Sequence, residues 1–261
     1  MLTNPTLEKL NGLKLTGMAA AFSDQLAHPA FDLDFEARFG LLVENEWVTR
    51  DNRRLTRLLK QAKLKQSGAC IADISCEKTR GLDKAQMIEL GYCQWIKQHQ
   101  NILITGSTGC GKTYIACALA NSACVQGFTC RYYRLSLLFE ELKIAKATGR
   151  YIQLLAQLSK INILILDDWG ITVPDILQKQ ELLEIIDARY QKGSMIITSQ
   201  LDTTHWHTYL AEATLADAIL DRLLHNAIYL KLQGESMRKT KLKEQLVSHS
   251  IGAVSNKYEN T

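Results

Sequence analysis

The chain has 261 residues, 46% of them apolar, and a formal net charge of +4, so a packed core is expected and the net charge says little about partners. No stretch approaches the roughly 18 apolar residues of a membrane span, and the amino-terminal sequence lacks a basic leader before an apolar run. We therefore expect a cytoplasmic protein with no membrane partner. The seven cysteines form no C-x-x-C pair, which argues against a disulfide framework or zinc site and indicates reduced, packed thiols.

The amino-terminal part of the chain has the periodicity of amphipathic helices. One apolar stripe contains Leu7, Leu10, Met18, Phe22 and Leu26. A second contains Phe35, Phe39, Leu42, Val43 and Trp47. We expect a small all-α domain over residues 1–65, followed by a linker over 66–80, where the sequence turns to small and polar residues.

From residue 81 to 250 the pattern changes to short β-type runs that alternate with longer helical segments. The predicted strands are 101–105, 129–134, 161–166, 194–198 and 227–232. Apolar strands separated by helices predict an α/β domain with a five-stranded parallel sheet covered by helices. Ligands of such sheets bind at the carboxyl ends of the strands. We expect residues 251–261 to form a disordered tail.

The sequence GSTGCGKT follows the first predicted strand and matches G-x-x-x-x-G-K-[ST] without a gap. Glycines allow backbone N–H groups to surround phosphate oxygens, and the helix predicted over 112–126 directs its positive end at the same anion. Lys112 is expected to reach the β- and γ-phosphates, and Thr113 to give its hydroxyl to Mg²⁺. The predicted ATP-binding residues here are Gly106, Ser107, Thr108, Gly109, Cys110, Gly111, Lys112, Thr113 and Tyr114.

Two acids directly follow the third predicted strand, in ILILDDWG. The stretch of sequence between Lys112 and Asp167 is long enough for an additional strand between the phosphate strand and the acidic one. We expect Asp167 to hold the Mg²⁺ shell through water and Asp168 to orient or deprotonate the water that attacks the γ-phosphate. The alternative is that Asp168 only caps the next segment.

Three further polar residues are candidates for catalysis. Gln200 follows the fourth strand, where a water-positioning sensor would lie. Arg222 is on the helix that precedes the fifth strand, and Arg238 comes just after that strand. An arginine fork suits the charge of a phosphoryl-transfer transition state, although a lone helical arginine is more often in a surface ion pair.

Taken together, the motifs resemble the IstB family of insertion-sequence helper ATPases, in the IstB/DnaC-like branch of AAA+ ATPases. The resemblance rests on RGLDK (80–84), CQWI (93–96), GSTGCGKT, ILILDDWG, ARYQKGSMIITSQ (188–200), ILDRLLH (219–225) and GESMRK (234–239). It implies a DNA-stimulated ATPase that uses ATP and Mg²⁺, forms a homo-oligomer with ATP between subunits on double-stranded DNA, and works with a partner transposase. Arg222 would be the arginine finger, Arg238 a sensor arginine, and Ile74 part of the adenine pocket.

The chain departs from the family pattern at two catalytic positions. Asp168 stands where glutamate is common, and Gln200 where asparagine is common. The resemblance therefore predicts the chemistry but not its rate. Two other functions stay open: a DnaC-type helicase loader, and a nucleotide-gated assembly module with negligible hydrolysis. Subunit number, target-sequence preference and the transposase-contacting surface are not predicted.

A basic run with helical spacing extends from Arg50 towards Lys65, against the single acid Asp51. Its members predicted to contact DNA phosphates, without sequence preference, are Arg50, Arg53, Arg54, Arg57, Lys60 and Lys63. The alternative is a solvated face. A second candidate run near the end contains Arg238, Lys239, Lys241 and Lys243. In His205-Trp206-His207 we expect a tryptophan that packs in the core and not a metal site.

Overall fold

The computed structural model describes residues 5–28, 33–234 and 236–237. By its internal contacts the chain divides into two units, Met1–Lys60 and Gln61–Thr261, and each is described by itself. The predicted tail at 251–261 lies outside the described residues. Among the helices that are described, none is long and apolar enough to cross a membrane.

The first unit is helical where it is described. It contains α1 (Pro5–Gly12), α2 (Thr16–Ala27) and most of α3 (Phe35–Ala62). The backbone N–H groups of Gly17 and Met18, in the first turn of α2, donate to the carboxylate of Glu46 over 2.8 and 3.1 Å. Asn45 O would lie 2.6 Å from a Cβ at position 17, so α2 and α3 approach closely only because residue 17 is glycine.

The second apolar stripe of the sequence faces outward. Phe35, Phe39, Val43 and Trp47 follow one another at four-residue steps along α3, and their exposed fractions run from 45% to 74%. The helices themselves are confirmed. The stripe marks an exposed face rather than a buried one.

The second unit contains the α/β architecture. Its helices are α4 (Lys84–Gly91), α5 (Gln94–Lys97), α6 (Lys112–Val125), α7 (Leu135–Ala147), α8 (Tyr151–Ser159), α9 (Ile176–Arg189), α10 (Trp206–Leu210) and α11 (Ala213–Leu224). Its strands are β1 (Asn101–Gly106), β2 (Cys130–Arg134), β3 (Ile163–Trp169), β4 (Ser194–Ser199) and β5 (Ala227–Leu232). All five predicted strands are confirmed, and the largest difference is in β3, which extends past its predicted end to include both acids.

The strands form one parallel sheet in the order β2-β3-β4-β1-β5. Because β1 and β3 lie on either side of β4, the phosphate-loop strand and the acidic strand are not neighbours. Side chains of β1, β3 and β4 are almost fully buried, as expected for a sheet covered by helices on both faces. Trp206 is fully buried 5.0 Å from the ring of Trp169, which confirms its packing role.

The segment predicted as a linker over 66–80 belongs to the second unit. Asn121 on α6 donates side-chain hydrogen bonds to the carbonyls of Ser67 and Ala69, at 2.9 and 2.7 Å. Two short 3-10 turns follow, Ile71–Asp73 and Lys78–Arg80. These contacts fix the segment beside the phosphate loop, where its residues line a cavity described below.

Candidate nucleotide-binding site

The phosphate loop joins the end of β1 to the start of α6. Its backbone passes through positive φ at Gly109 and Gly111, at 83° and 101°, a conformation that glycine adopts without strain. At Gly106 an added Cβ would lie 2.6 Å from Leu232 O at the end of β5. The loop is therefore shaped by glycine, and the amino end of α6 points at its concavity.

Lys112 folds back over this loop. Its ammonium donates to the carbonyls of Gly106 and Ser107, at 2.7 and 2.8 Å. Burial lowers the pKa of this ammonium. Loop carbonyls thus hold Lys112 above the concavity where phosphate oxygens would bind.

Asp167 is a buried residue near the end of β3, and hydroxyl groups surround its carboxylate. Thr113 donates to Oδ1 over 2.9 Å, Tyr132 donates to Oδ2 over 2.5 Å, and Thr198 on β4 also donates to Oδ1. Burial would raise the pKa of Asp167, but the bonds from Thr198, Tyr132 and Thr113, with the nearby ammonium of Lys65, outweigh it and lower the pKa. The carboxylate is therefore ionised at neutral pH although it is only 1% exposed.

The oxygen atoms of Thr113 and Asp167 suit Mg²⁺ as ligands. The cation prefers oxygen ligands and is usually held through one or two carboxylates and retained waters. Thr113 at the end of the phosphate loop and Asp167 on β3 place a hydroxyl and an ionised carboxylate side by side. Their chemistry suits a hard cation that is shared with a phosphate group.

Asp168 has a different environment from Asp167. Its backbone is left-handed, with φ of 66°, and its N–H donates to Thr198 Oγ1 over 3.3 Å. Its side chain lines the cavity and pairs with Arg134 at the end of β2, over 2.8 Å. Aspartate tolerates left-handed backbone better than most residues, which gives a physical reason for the short acid at this position.

Gln200 comes directly after β4 and contacts the phosphate loop. Its side-chain oxygen accepts a hydrogen bond from Thr108 Oγ1 over 2.8 Å. The amide therefore lies at the carboxyl edge of the sheet, in the same cavity as Asp168 and Lys112.

A cavity of about 460 Å³ connects these groups. The phosphate loop, Asp168 and Gln200 contribute polar groups to its lining, and the segment over 65–80, including Ile74, contributes further residues. Tyr114, also in the lining, accepts from the backbone N–H of Cys70 over 3.2 Å and donates to Asp73 over 3.3 Å. The structure thus brings most of the sequence-predicted nucleotide residues together.

The match to known proteins extends over most of the chain. Residues 8–245 match the model of the family described as IstB-like ATP binding protein. The chain belongs to this family. Among its relatives is a putative insertion sequence ATP-binding protein, y4pL, of Sinorhizobium fredii, 43% identical over 92% of this chain and 98% of that protein. The IS1162 putative ATP-binding protein of Pseudomonas fluorescens is 44% identical over 78% of this chain and 89% of that one.

Solved structures add a likeness of fold. The crystal structure of DnaI has a TM-score of 0.56 at 19% identity, over 69% of this chain and 98% of that one. The DnaC helicase loader has a TM-score of 0.52 at 18% identity, over 63% and 97%. At such identities the likeness concerns the fold alone. This IstB-like chain has the AAA+ fold, a five-stranded parallel sheet with helices, and a helical amino-terminal region.

Arg222 lies away from the cavity of its own chain. It is near the end of α11, at the amino edge of the sheet, where Nε pairs with Asp187 and one terminal nitrogen donates to Ala218 O over 2.7 Å. The length of β1 separates the two edges by about 17 Å. Arg238, the other predicted catalytic arginine, and the basic run that follows it lie outside the described residues.

The residues predicted to bind DNA all have exposed side chains. They are Arg50, Arg53, Arg54, Arg57 and Lys60 on α3 and Lys63 just after it. Arg50 pairs with Glu46 over 2.6 Å and Arg54 with Asp51 over 2.9 Å. Leu58, on another side of the helix, is only 5% exposed. The basic side chains are therefore exposed on a different side of α3 from the buried Leu58.

Sequence reasoning assigned no role to five residues that contact the site. They are Lys65, Arg80, Tyr132, Arg134 and Thr198. Arg80 donates to Ser75 O over 2.7 Å and to Cys110 O over 2.9 Å, so it ties the 65–80 segment to the phosphate loop. Arg134 could have been found because it ends β2 at the ligand-binding edge, opposite Asp167 on β3.

Proposed function

We propose that this chain is an ATPase that assists transposition: ATP-bound subunits assemble on double-stranded DNA, recruit or stimulate a partner transposase, and hydrolyse ATP to reset the assembly. The observation that carries the ATPase proposal is the composition of the cavity. One edge of the sheet presents a phosphate-loop lysine, an ionised buried carboxylate, a second carboxylate and an amide.

Each residue of this edge has a role in the proposed mechanism. Lys112 binds the β- and γ-phosphates, while Thr113 and Asp167 hold Mg²⁺. When bound, Mg²⁺ would offset the charge on the β- and γ-phosphate oxygens. Asp168 accepts a hydrogen bond from the attacking water, and Gln200 orients that water. Ile74 and Tyr114 bind the base side of the nucleotide.

The position of Arg222 supports a role between subunits. Since it lies at the opposite edge of the sheet from its own cavity, its guanidinium would reach a γ-phosphate only in a neighbouring subunit. Arg238 would contact the nucleotide of its own subunit. Assembly and hydrolysis would then depend on each other.

The relatives support transposition over helicase loading. The two relatives compared above, at 43% and 44% identity, carry names that refer to insertion sequences, whereas the likeness to the DnaC loader concerns the fold. The exposed cationic face of α3 would hold duplex DNA through its phosphates. We propose a cytoplasmic location, where both DNA and ATP are available.

Asp168→Asn tests the hydrolytic part of this proposal. Asparagine also tolerates left-handed backbone, so the change removes charge without straining the chain. We expect ATP turnover with duplex DNA to fall about 10²- to 10⁴-fold, with ATP-dependent assembly kept, as measured by phosphate release and light scattering. Asp217→Asn, on the exposed face of α11, is the matched control.

The outcomes separate the proposed functions. If the wild-type protein assembles but shows no DNA-stimulated turnover, it is a nucleotide-gated assembly module and the enzyme proposal is wrong. If it prefers single strands and binds a replicative helicase instead of a transposase, it is a loader.

A further inference from the structure

Lys65 contacts the carboxylate to which we have assigned Mg²⁺. It lies three residues after the end of α3, within the second unit, and its ammonium is 3.5 Å from Asp167 Oδ2. Its side chain is 38% exposed and lines the nucleotide cavity, whereas that of Asp167 is 1% exposed. A cation that is open to solvent thus reaches a buried anion.

The other partners of Asp167 explain why a cation is held there. Thr113, Tyr132 and Thr198 are neutral donors, so they solvate the carboxylate without cancelling its charge. Lys112 points its ammonium at the carbonyls of Gly106 and Ser107. Among the described residues, Lys65 is therefore the ion-pair partner of Asp167.

A divalent cation and an ammonium cannot share this carboxylate favourably. They carry like charges and would lie within a few ångströms of each other beside a carboxylate that is only 1% exposed, so water screens their repulsion only in part. Of the groups that contact the carboxylate of Asp167, the Lys65 ammonium can leave at the lowest cost, because the lysine side chain is flexible and partly solvated. The three hydroxyl groups are on residues of α6, β2 and β4, so regular elements hold them in place.

We propose that Lys65 is a built-in counterion that Mg²⁺ must displace from Asp167, so that this lysine sets the Mg²⁺ concentration at which the nucleotide site fills. The proposal rests on the assignment of Asp167 as the magnesium residue. It makes Lys65 a positioning residue that acts on the metal site rather than on the reacting atoms.

The alternative is that Lys65 binds a phosphate group. It lines the same cavity as Lys112, and an ammonium there would raise the affinity for ATP. The two roles predict opposite effects when the charge is removed. Loss of a counterion lowers the Mg²⁺ requirement, whereas loss of a phosphate ligand weakens ATP binding at every Mg²⁺ concentration.

The test is a titration of the full-length chain with MgCl₂ in the presence of a fluorescent N-methylanthraniloyl derivative of ATP, which needs no turnover. We expect Lys65→Met and Lys65→Gln to lower the midpoint Mg²⁺ concentration roughly three- to tenfold, as for the loss of one partly exposed ion pair. Affinity for the analogue at saturating Mg²⁺ should be unchanged. Lys65→Arg, which keeps the charge, should restore a midpoint close to that of the wild type.

The control is Lys143→Met, which removes an exposed ammonium from α7 outside the cavity and should leave the midpoint unchanged. A thermal melt of each variant identifies any that fails to fold, and the two neutral substitutions provide independent readings. An unchanged midpoint in both, or weaker analogue binding at saturating Mg²⁺, would overturn the proposal for Lys65. If wild-type binding does not depend on Mg²⁺ at all, the assignment of Asp167 fails as well.

Discussion

The two edges of the sheet use polar side chains in different ways. At the carboxyl edge several side chains bond to one another, as in Arg134 with Asp168 and Thr108 with Gln200, although Lys112 donates to loop carbonyls. At the amino edge they bond mainly to backbone. Asn101 donates to Leu223 O over 3.1 Å and accepts from the N–H of Met195 over 2.9 Å. A ligand can replace a side-chain partner, because that side chain can rotate away. A backbone carbonyl cannot rotate away without a shift of the loop.

Arg189 is the clearest example of a side chain at the amino edge that bonds to backbone. It is 1% exposed at the end of α9 and donates to the carbonyls of Ile161 and Ser194, at 2.8 and 2.7 Å, among others. Burial lowers the pKa of its guanidinium to about 10, so it stays charged at neutral pH. Although Arg189 is within one of the motifs that carry the family resemblance, these contacts make it a structural residue that joins the starts of β3 and β4.

Arg222 is a charged exception at the amino edge, since its partner Asp187 is a side chain. We expect Arg222→Ala to reduce DNA-stimulated turnover on the order of 10³-fold, as for loss of an arginine finger. If Arg222 acts on a neighbour, mixing this variant with Asp168→Asn should restore part of the turnover, because mixed assemblies contain interfaces with both groups intact. Phosphate release from the mixture measures this.

The control for that mixture is Arg222→Ala combined with a chain that carries both substitutions, which offers no intact interface. Equal turnover in the two mixtures would mean that Arg222 acts within its own chain or only through structure.

Arg189→Met should have the next largest effect, on stability. It leaves several buried carbonyls without donors, and we expect the free energy of unfolding to fall by about 3 kcal/mol or more. Urea denaturation of the full chain measures the loss. Arg150→Met, at the exposed start of α8, should change it by less than about 0.5 kcal/mol. Similar values for both variants would contradict a structural role for Arg189.

Thr108→Val should have the smallest effect on stability. The hydroxyl that it removes is exposed and contacts a side chain, Gln200, so we expect the free energy of unfolding to change by less than about 0.5 kcal/mol. The same denaturation experiment applies. A loss of about 2 kcal/mol, as for a buried polar group left without its partner, would show that this contact is structural, and the distinction between the two edges would fail.

Much of the second unit could be predicted because its signals are local. Near-continuous apolar runs located the five strands, and the spacing of GSTGCGKT located the phosphate loop and the start of α6. The two acids were assigned to a strand end for the same reason. The apolar stripe of Phe35 and Trp47 predicted a helix correctly. It did not show that this face of the helix is exposed.

The contacts around the acids could not be predicted because they depend on sheet order. Tyr132 and Arg134 reach Asp167 and Asp168 only because β2 pairs with β3, and strand order leaves no mark on a single sequence. The position of Lys65 depends on how a segment without regular structure packs against α6. The left-handed backbone of Asp168 is likewise a tertiary effect, although it explains the unusual acid better than the motif does.

The side-chain contacts at the carboxyl edge of the sheet have a consequence for how fast the site can accept its ligands. The contacts that ATP and Mg²⁺ would replace, such as Lys65 with Asp167 and Thr108 with Gln200, end in partly exposed side chains. Exposed side chains change rotamer within picoseconds to nanoseconds. A single subunit is thus ready for its ligands long before an encounter occurs, and the slow events of its cycle would be those that need a second chain.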